Sequence, residues 1–337
     1  MLRAILFVLF ALGCSDPVTG SPANAAPDPT PRVALAADPL PSWNDGTVKR
    51  AIIDFVERVT REDGSDFVPV EDRIAVFDND GTLWAEQPYP VEFAFGLDRM
   101  KHARRSVDIH ALALLGSGSG GGSATTNPLV GILGNADIGA STDEFERDVA
   151  DWIATATHPR FKRRYTELVY QPMLELLVYL RSRGFKTYLV SGADTDFMRA
   201  WVERSYGIPP EQVIGTRIAL RYERRASGPA LVRQPRVELN DDKSGKAIAI
   251  EQVIGRRPIA AFGNSDGDIE MLEWTTSAPG LRLGLLVHHT DAVREWAYDR
   301  YSFVGRLSRG LDEAAQRGWL VVDMKRDWKI VFPFERR

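Results

Sequence analysis

The sequence predicts an α/β protein: a doubly wound parallel sheet with an inserted, mainly α-helical cap domain. Three observations carry that expectation. Short apolar runs recur and each stops at a cluster of polar residues; apolar residues at helical spacing lie between them; and more than 100 residues separate the first polar cluster from the second. Apolar runs of strand length alternating with helical patterns belong to parallel sheets, whose strands are buried on both faces. One crossover connection needs only about a dozen residues, so the long interval between the first two clusters is read as an inserted cap.

Taken in order, Ile52, Ile53, Val56 and Val59 recur at helical spacing with Asn44 or Asp45 available as N-cap, and the folded part is placed from residue 43. Ile74-Ala75-Val76-Phe77 reads as a buried strand running into Asp78-Asn79-Asp80-Gly81-Thr82. Leu168, Met173, Leu174, Leu177 and Leu180 mark a helix face ending at Gly184, and Thr187-Tyr188-Leu189-Val190 is the next strand, stopping at Ser191-Gly192. Residues 248–254 give a short helix. Ile259-Ala260-Ala261-Phe262 gives a strand ending in Gly263-Asn264-Ser265-Asp266-Gly267-Asp268, and residues 283–287 give one more. The core is thus expected at residues 43–87 and 166–337 and the cap at 88–165, with a glycine- and serine-rich run at 116–123 expected to be disordered. Ligands of such sheets bind beyond the carboxyl ends of the strands. Topology alone therefore nominates Asp78, Asp80, Ser191, Asn264 and Asp268 as one convergent site.

The 337 residues carry 42 Lys and Arg against 46 Asp and Glu, a net charge of −4, and 44 % are hydrophobic. This excludes a wholly disordered or fibrous chain and supplies no positive surplus for nucleic-acid binding. The single cysteine, Cys14, excludes an intrachain disulfide framework and a cysteine zinc cluster. Arg3 followed by the apolar residues 4–13 fits a signal peptide and is too short to span a bilayer. Its end, Ala11-Leu12-Gly13-Cys14, resembles the bacterial lipobox, which implies cleavage before Cys14 and a lipid anchor on it; Ala23-Asn24-Ala25 is the alternative, ordinary cleavage site. Residues 1–14 are therefore expected as leader, and residues 15–42, with seven prolines in 28 residues, as an extended tether. Either cleavage exports the protein, to the periplasm or to a membrane surface that it touches only through the lipid.

An Asp-x-Asp at a strand end is by itself a common turn sequence, but it also places two carboxylates where one can attack and the other can move a proton. The whole set is more specific. Phe77-Asp78-Asn79-Asp80-Gly81-Thr82-Leu83, Val190-Ser191-Gly192, a lysine at Lys246 or Lys243, and Phe262-Gly263-Asn264-Ser265-Asp266-Gly267-Asp268, in that order, resemble the four motifs of the haloacid dehalogenase superfamily. The second motif, Phe197, Tyr206-Gly207-Ile208 and Val213-Ile214-Gly215-Thr216 are most similar to its phosphoserine-phosphatase-type members.

The resemblance implies a Rossmann-like core and a magnesium-dependent phosphatase acting on a small phosphorylated metabolite. Asp78 would be the nucleophile and Asp80 the general acid and base. Thr82 would orient them, while Ser191, the Gly192 N–H and Lys246, or else Lys243, would bind the phosphoryl group. Asp78, the Asp80 carbonyl, Asn264 and Asp268 would hold Mg²⁺, with Asp266 as the alternative ligand if the register differs. Lys246 is preferred because Ile250, Val253 and Ile254 follow it at helical spacing. Asn264 stands where the family pattern has an aspartate, which predicts weaker magnesium affinity. The second aspartate, Asp80, disfavours dehalogenation. A phosphotransferase or mutase, and a non-catalytic surface lipoprotein retaining the fold, are the alternatives. Trp84, Glu86 and Tyr89 are expected on a cap-facing flap in reach of the leaving group, residues 158–164 on a solvated face, and His288 and His289 in structural roles.

Overall fold

The computed structural model describes residues 38–102 and 139–335. The leader, Cys14, most of the tether and the run at 116–123 lie outside the described residues. Helix α1 (Thr47–Thr60) leads into β1 (Ile74–Phe77). Then come α2 (Val91–His102), α3 (Thr142–Thr155), α4 (Gln171–Ser182), β2 (Lys186–Asp194) and the short helices α5 (Thr195–Arg199) and α6 (Val202–Tyr206). A long hairpin of β3 (Val213–Arg225) and β4 (Gly228–Leu239) is followed by α7 (Ser244–Ile254), β5 (Ala260–Gly263), α8 (Ile269–Thr276) and β6 (Leu283–Thr290). β7 (Ala297–Tyr298), α9 (Arg309–Arg317), β8 (Leu320–Asp323) and α10 (Met324–Asp327) complete the order.

The sheet runs β4-β3-β2-β1-β5-β6-β7, with β8 beside β6. β1 pairs in parallel with β2 and β5, β2 with β3, and β6 with β5 and β8; β4 and β7 are antiparallel. Successive strand residues face opposite sides. Phe77, Leu189, Phe262 and Leu285 therefore join one core with Ile52, Phe55 and Val56 of α1 and Met173, Leu176 and Leu177 of α4. Val76, Val190, Ala261 and Leu286 join the other with Ile250 of α7, Leu272 of α8 and Ala314 of α9. The result is a parallel-dominated sheet between two helical layers, as the sequence predicts. Phe77 lies opposite both Leu189 and Phe262, so Asp78, Val190 and Gly263 emerge side by side at the carboxyl ends of three adjacent strands. The chain leaves β1 for β2 on one side and returns at β5 on the other, which makes this the switch point where a ligand crevice forms.

Four local readings are corrected. Residues before 43, expected in the tether, already take part in the packing: Leu40 and Ser42 are buried, and Asp38 pairs with Lys49 at 2.6 Å. The N-cap of α1 is Gly46, while Asn44 donates to the Arg326 carbonyl and Asp45 pairs with Lys49. β2 does not stop at Ser191 but continues to Asp194 through a bulge, because Ser191 pairs with Gly215 and Asp194 with Thr216. His158, expected on a solvated face, is buried with its Nε2 2.7 Å from the Gln87 carbonyl.

The β3–β4 hairpin is not foreseen by the sequence reading. Its far half leaves the core and joins the segment before α3, where Val232 bridges Ser141 and the Arg233 N–H donates to the Ala140 carbonyl. The insertion, expected as mainly helical, thus contributes α2 and α3 among the described residues and is flanked by this hairpin.

Candidate active site

Asp78 is the residue after β1, and its N–H donates to the Phe262 carbonyl at 2.9 Å. Its Oδ1 accepts from Lys246 Nζ at 2.5 Å and its Oδ2 from the Thr82 hydroxyl at 3.1 Å. Lys246, in the first turn of α7, also donates to Asp268 Oδ1 at 2.6 Å and to the Val190 carbonyl at 3.1 Å. The ammonium therefore ties the ends of β1 and β2 to the turn after β5. Burial alone would lower its pKa, but Asp268, Asp78 and Asp241 around it raise it well above the ordinary lysine range. Burial, with the Asp268 charge added, pushes the Asp78 carboxyl up against the opposing pull of Lys246.

Asp80 is half-buried, and burial pushes its carboxyl up to about 6 against the Trp84 hydrogen bond and the charge of Lys246. Trp84 Nε1 donates to Asp80 Oδ1 at 2.8 Å, and the indole is held by stacking on Trp201 with centroids 4.1 Å apart. The backbone N–H of Gly81 returns to the Trp84 carbonyl at 2.9 Å, closing the turn that carries both aspartates.

The turn after β5 is organised by Asp268. Its Oδ2 accepts from the N–H of Asn264 and of Ser265, both at 3.0 Å, and from the Ser265 hydroxyl at 3.1 Å. Asn264 Oδ1 accepts from the Thr82 hydroxyl at 3.2 Å, while its Nδ2 donates to Glu86 Oε1 at 2.7 Å.

Of the residues that topology nominates, Asp78, Asn264 and Asp268 are therefore brought together, with Thr82 and Lys246, which the resemblance adds, bonded among them, and Asp80 follows Asp78 by two residues. Ser191, buried, accepts from the Ala193 N–H at 3.3 Å, and Gly192 offers its carbonyl to the Thr216 hydroxyl at 2.8 Å. Lys243 is exposed at the start of α7 and has no place in the cluster. Asp266 faces away, its Oδ1 accepting from the N–H groups of Ser308 and Gly310 at 2.9 Å each. Trp84 and Glu86, expected on a flap, are instead buried beneath the site, and Tyr89 packs edge-on against Phe93. His289 is buried with Nε2 2.8 Å from the Gly81 carbonyl, which supports the first turn from below.

Several participants are not foreseen. Asp241, wholly buried, has no hydrogen-bond partner on either carboxylate oxygen among the described residues, and burial pushes it up to about 7 against the charge of Lys246. Its position five residues before Lys246 was the only available signal. Glu92 of α2 accepts from the Asp194 N–H at 3.3 Å, and Arg233 of the hairpin pairs with Asp194 and, at 2.5 Å, with Asp196 while lying over the Phe145 ring. These contacts fasten α2, α3 and the hairpin to the end of β2, and nothing in local spacing announces them.

Among the described residues no three His, Cys, Asp or Glu side chains gather at metal-binding spacing. The set offered is a mixed one: a carboxylate of Asp78, an amide oxygen of Asn264 turned toward it across the Thr82 hydroxyl, and the carbonyl of Asp80 between them in sequence. All are hard oxygen donors of the kind magnesium takes, and the Asp268 charge that helps to push the Asp78 carboxyl up is one that a bound cation would offset. The residues present therefore fit Mg²⁺.

Among solved structures, a functionally unknown protein from Anaerococcus prevotii is similar at 16 % identity, with 81 % of this chain and 90 % of that chain covered and a TM-score of 0.50. A protein of unknown function from Bordetella pertussis matches at 17 % identity over 75 % and 98 % of the two chains, with a TM-score of 0.49. A probable phosphoserine phosphatase from Vibrio cholerae matches at 12 % identity over 66 % and 58 %, with a TM-score of 0.38. No curated protein matches. The family model for haloacid dehalogenase-like hydrolases matches residues 75–273, more than half of the chain and a span that contains every motif of the site. With that match, and with the aspartate, lysine and asparagine of the motifs gathered at the strand ends, the chain belongs to the haloacid dehalogenase-like hydrolase family.

Proposed function

We propose that the protein is a magnesium-dependent phosphatase of small phosphomonoesters, of the phosphoserine-phosphatase-like kind, acting through an aspartyl-phosphate. The observation that carries this reading is the setting of Asp78. It is buried at the end of the central strand, with one oxygen on Lys246, the other on Thr82, and two residues on the Asp80 carboxyl, which burial pushes up to about 6.

An Asp78 carboxylate oxygen attacks phosphorus in line with the ester oxygen, forming the O–P bond as the P–O ester bond breaks. The Asp80 carboxyl gives its proton to the departing alkoxide. Its carboxylate then takes a proton from water, whose oxygen attacks the same phosphorus, displacing Asp78 and releasing inorganic phosphate. A carboxyl near 6 suits both halves of this exchange at neutral pH. Lys246 holds the nucleophile and balances the phosphoryl charge, with Ser191 and the Gly192 N–H offered to phosphoryl oxygens. Asp78, the Asp80 carbonyl and Asn264 would hold the metal, whose charge would offset that of the phosphoryl oxygens. Asp268 serves that set by holding the Asn264 turn and Lys246.

The test is phosphate release from an aryl phosphate and a panel of phosphomonoesters, with Mg²⁺ and with chelator. Turnover that requires Mg²⁺ is expected; a folded protein with no turnover under any divalent metal would favour the non-catalytic alternative. Within the same assay, Trp84→Phe keeps an aromatic ring against Trp201 but deletes the N–H donated to Asp80. A hydrogen bond to a charged group is worth about 1.5–3 kcal/mol. Turnover is therefore expected to fall roughly ten- to a hundred-fold with KM little changed, and an unchanged kcat would remove Trp84 from the positioning of Asp80.

A further inference from the structure

We propose that Glu86 is a positioning residue that fixes the amide of Asn264 so that its carbonyl oxygen, and not its NH₂, faces Asp78 and a cation bound there. This deepens the magnesium phosphatase reading and rests on it. The two ends of an asparagine amide are alike in size, so only hydrogen-bond partners decide which end is presented. Here Glu86 makes the decision, because the Thr82 hydroxyl has one proton for Asp78 Oδ2 and Asn264 Oδ1 and its oxygen could equally accept from an amide NH₂. The NH₂ end donates to Glu86 Oε1 at 2.7 Å, and the oxygen end accepts from the Thr82 hydroxyl, which also lies 3.1 Å from Asp78 Oδ2. A carboxyl oxygen engaged as acceptor cannot take a carbonyl in place of the NH₂, so a flipped amide would lose its partner in a buried setting.

Glu86 is itself built in. The Tyr298 hydroxyl donates to the same Oε1 at 2.7 Å, and the Tyr298 ring stacks on His289 with centroids 4.3 Å apart. Space for the carboxyl is made by two glycines in the left-handed region, Gly81 at φ +79° and Gly305 at φ +66°. A Cβ on either would overlap Glu86 Oε1, and one on Gly81 would also overlap Asn264 Nδ2. Burying a carboxyl is costly compared with an apolar side chain of similar volume. The fold nevertheless clears backbone on two sides of it, and the bond it makes toward the site is the one to Asn264.

The experiment is calorimetric titration of Mg²⁺ into the full-length protein without substrate, beside thermal unfolding without metal. Outer partners of metal ligands are typically worth about 10–100-fold in affinity. Glu86→Ala is expected to weaken Mg²⁺ binding by that factor, whereas Glu86→Gln, whose carbonyl accepts the same two bonds, stays within about threefold of the parent. Asn264→Asp sets a carboxyl against Glu86. In the double variant Asn264→Asp/Glu86→Gln the glutamine NH₂ donates to the new aspartate, so the double variant should bind Mg²⁺ more tightly than Asn264→Asp alone. That rescue carries the test even if Glu86→Ala does not fold. Parent-like affinity in a folded Glu86→Ala, or a double variant no tighter than Asn264→Asp, would overturn the inference while leaving the phosphatase reading intact. No binding to the parent would overturn the magnesium reading itself, and the inference with it.

Discussion

Asp78→Asn is expected to abolish turnover while leaving a folded protein. The substitution is nearly isosteric but leaves no carboxylate oxygen able to carry a phosphoryl group. Loss of a nucleophile that acts as part of a unit costs on the order of 10⁴-fold or more in kcat. The fold should survive because Lys246 keeps two of its three acceptors, the Asp268 carboxylate and the Val190 carbonyl. Thr82 can still donate to the amide oxygen, and the N–H of residue 78 still reaches Phe262. The measurement is kcat on the best ester of the panel beside the urea midpoint. Residual turnover within about tenfold of the parent would move the nucleophile elsewhere.

Lys246→Met is expected to damage activity and stability together. Among the described residues the ammonium is the one cation hydrogen-bonded to both Asp78 and Asp268, and its side chain is 3 % exposed. Removing one partner of a buried ion pair costs about 3–5 kcal/mol, because the other charge is left uncompensated. Asp268 retains three donors from the Asn264 turn, so the unpaired burden falls mainly on Asp78. The double variant Lys246→Met/Asp78→Asn should therefore recover part of the stability lost by Lys246→Met alone, although it recovers no activity. Denaturant unfolding of the three variants checks this. A Lys246→Met protein within about 1 kcal/mol of the parent would mean that the cluster is not held together by that charge.

The parts of the molecule legible in the sequence are those whose signal is local. Short, largely apolar four-residue runs ending in polar turns mark β1, β5 and the beginning of β2, and strand adjacency then brings Asp78, Ser191 and Asn264 to one edge. Helical spacing after Lys246 chose it over Lys243, and the structure places Lys246 on the two aspartates and Lys243 in solvent. What was illegible depends on long-range packing. The β3–β4 hairpin carries alternating charged and apolar residues that resemble a solvated surface until Val232 and Arg233 meet the segment before α3. The bulge that extends β2 to Asp194 follows from register with Gly215 and Thr216, which the sequence of β2 does not contain. Trp84 and Glu86 read naturally as flap residues because they follow the first motif closely. They turn inward because Trp201, some 120 positions later, supplies a ring to stack on, and Tyr298 and Asn264 supply donors.

A phosphatase acting through Asp78 passes through one covalent event at that residue. The protein should be mixed with Mg²⁺ and its best ester, quenched in acid within the turnover time, digested and read by mass spectrometry. The peptide containing Asp78 is expected to gain the mass of one phosphoryl group, the gain to disappear in Asp78→Asn, and to accumulate in Asp80→Asn where that variant is slower to admit water than to release the alcohol. Phosphate release in steady state with no phosphoryl mass on the Asp78 peptide under any quench, or with that mass on another residue, would contradict that mechanism.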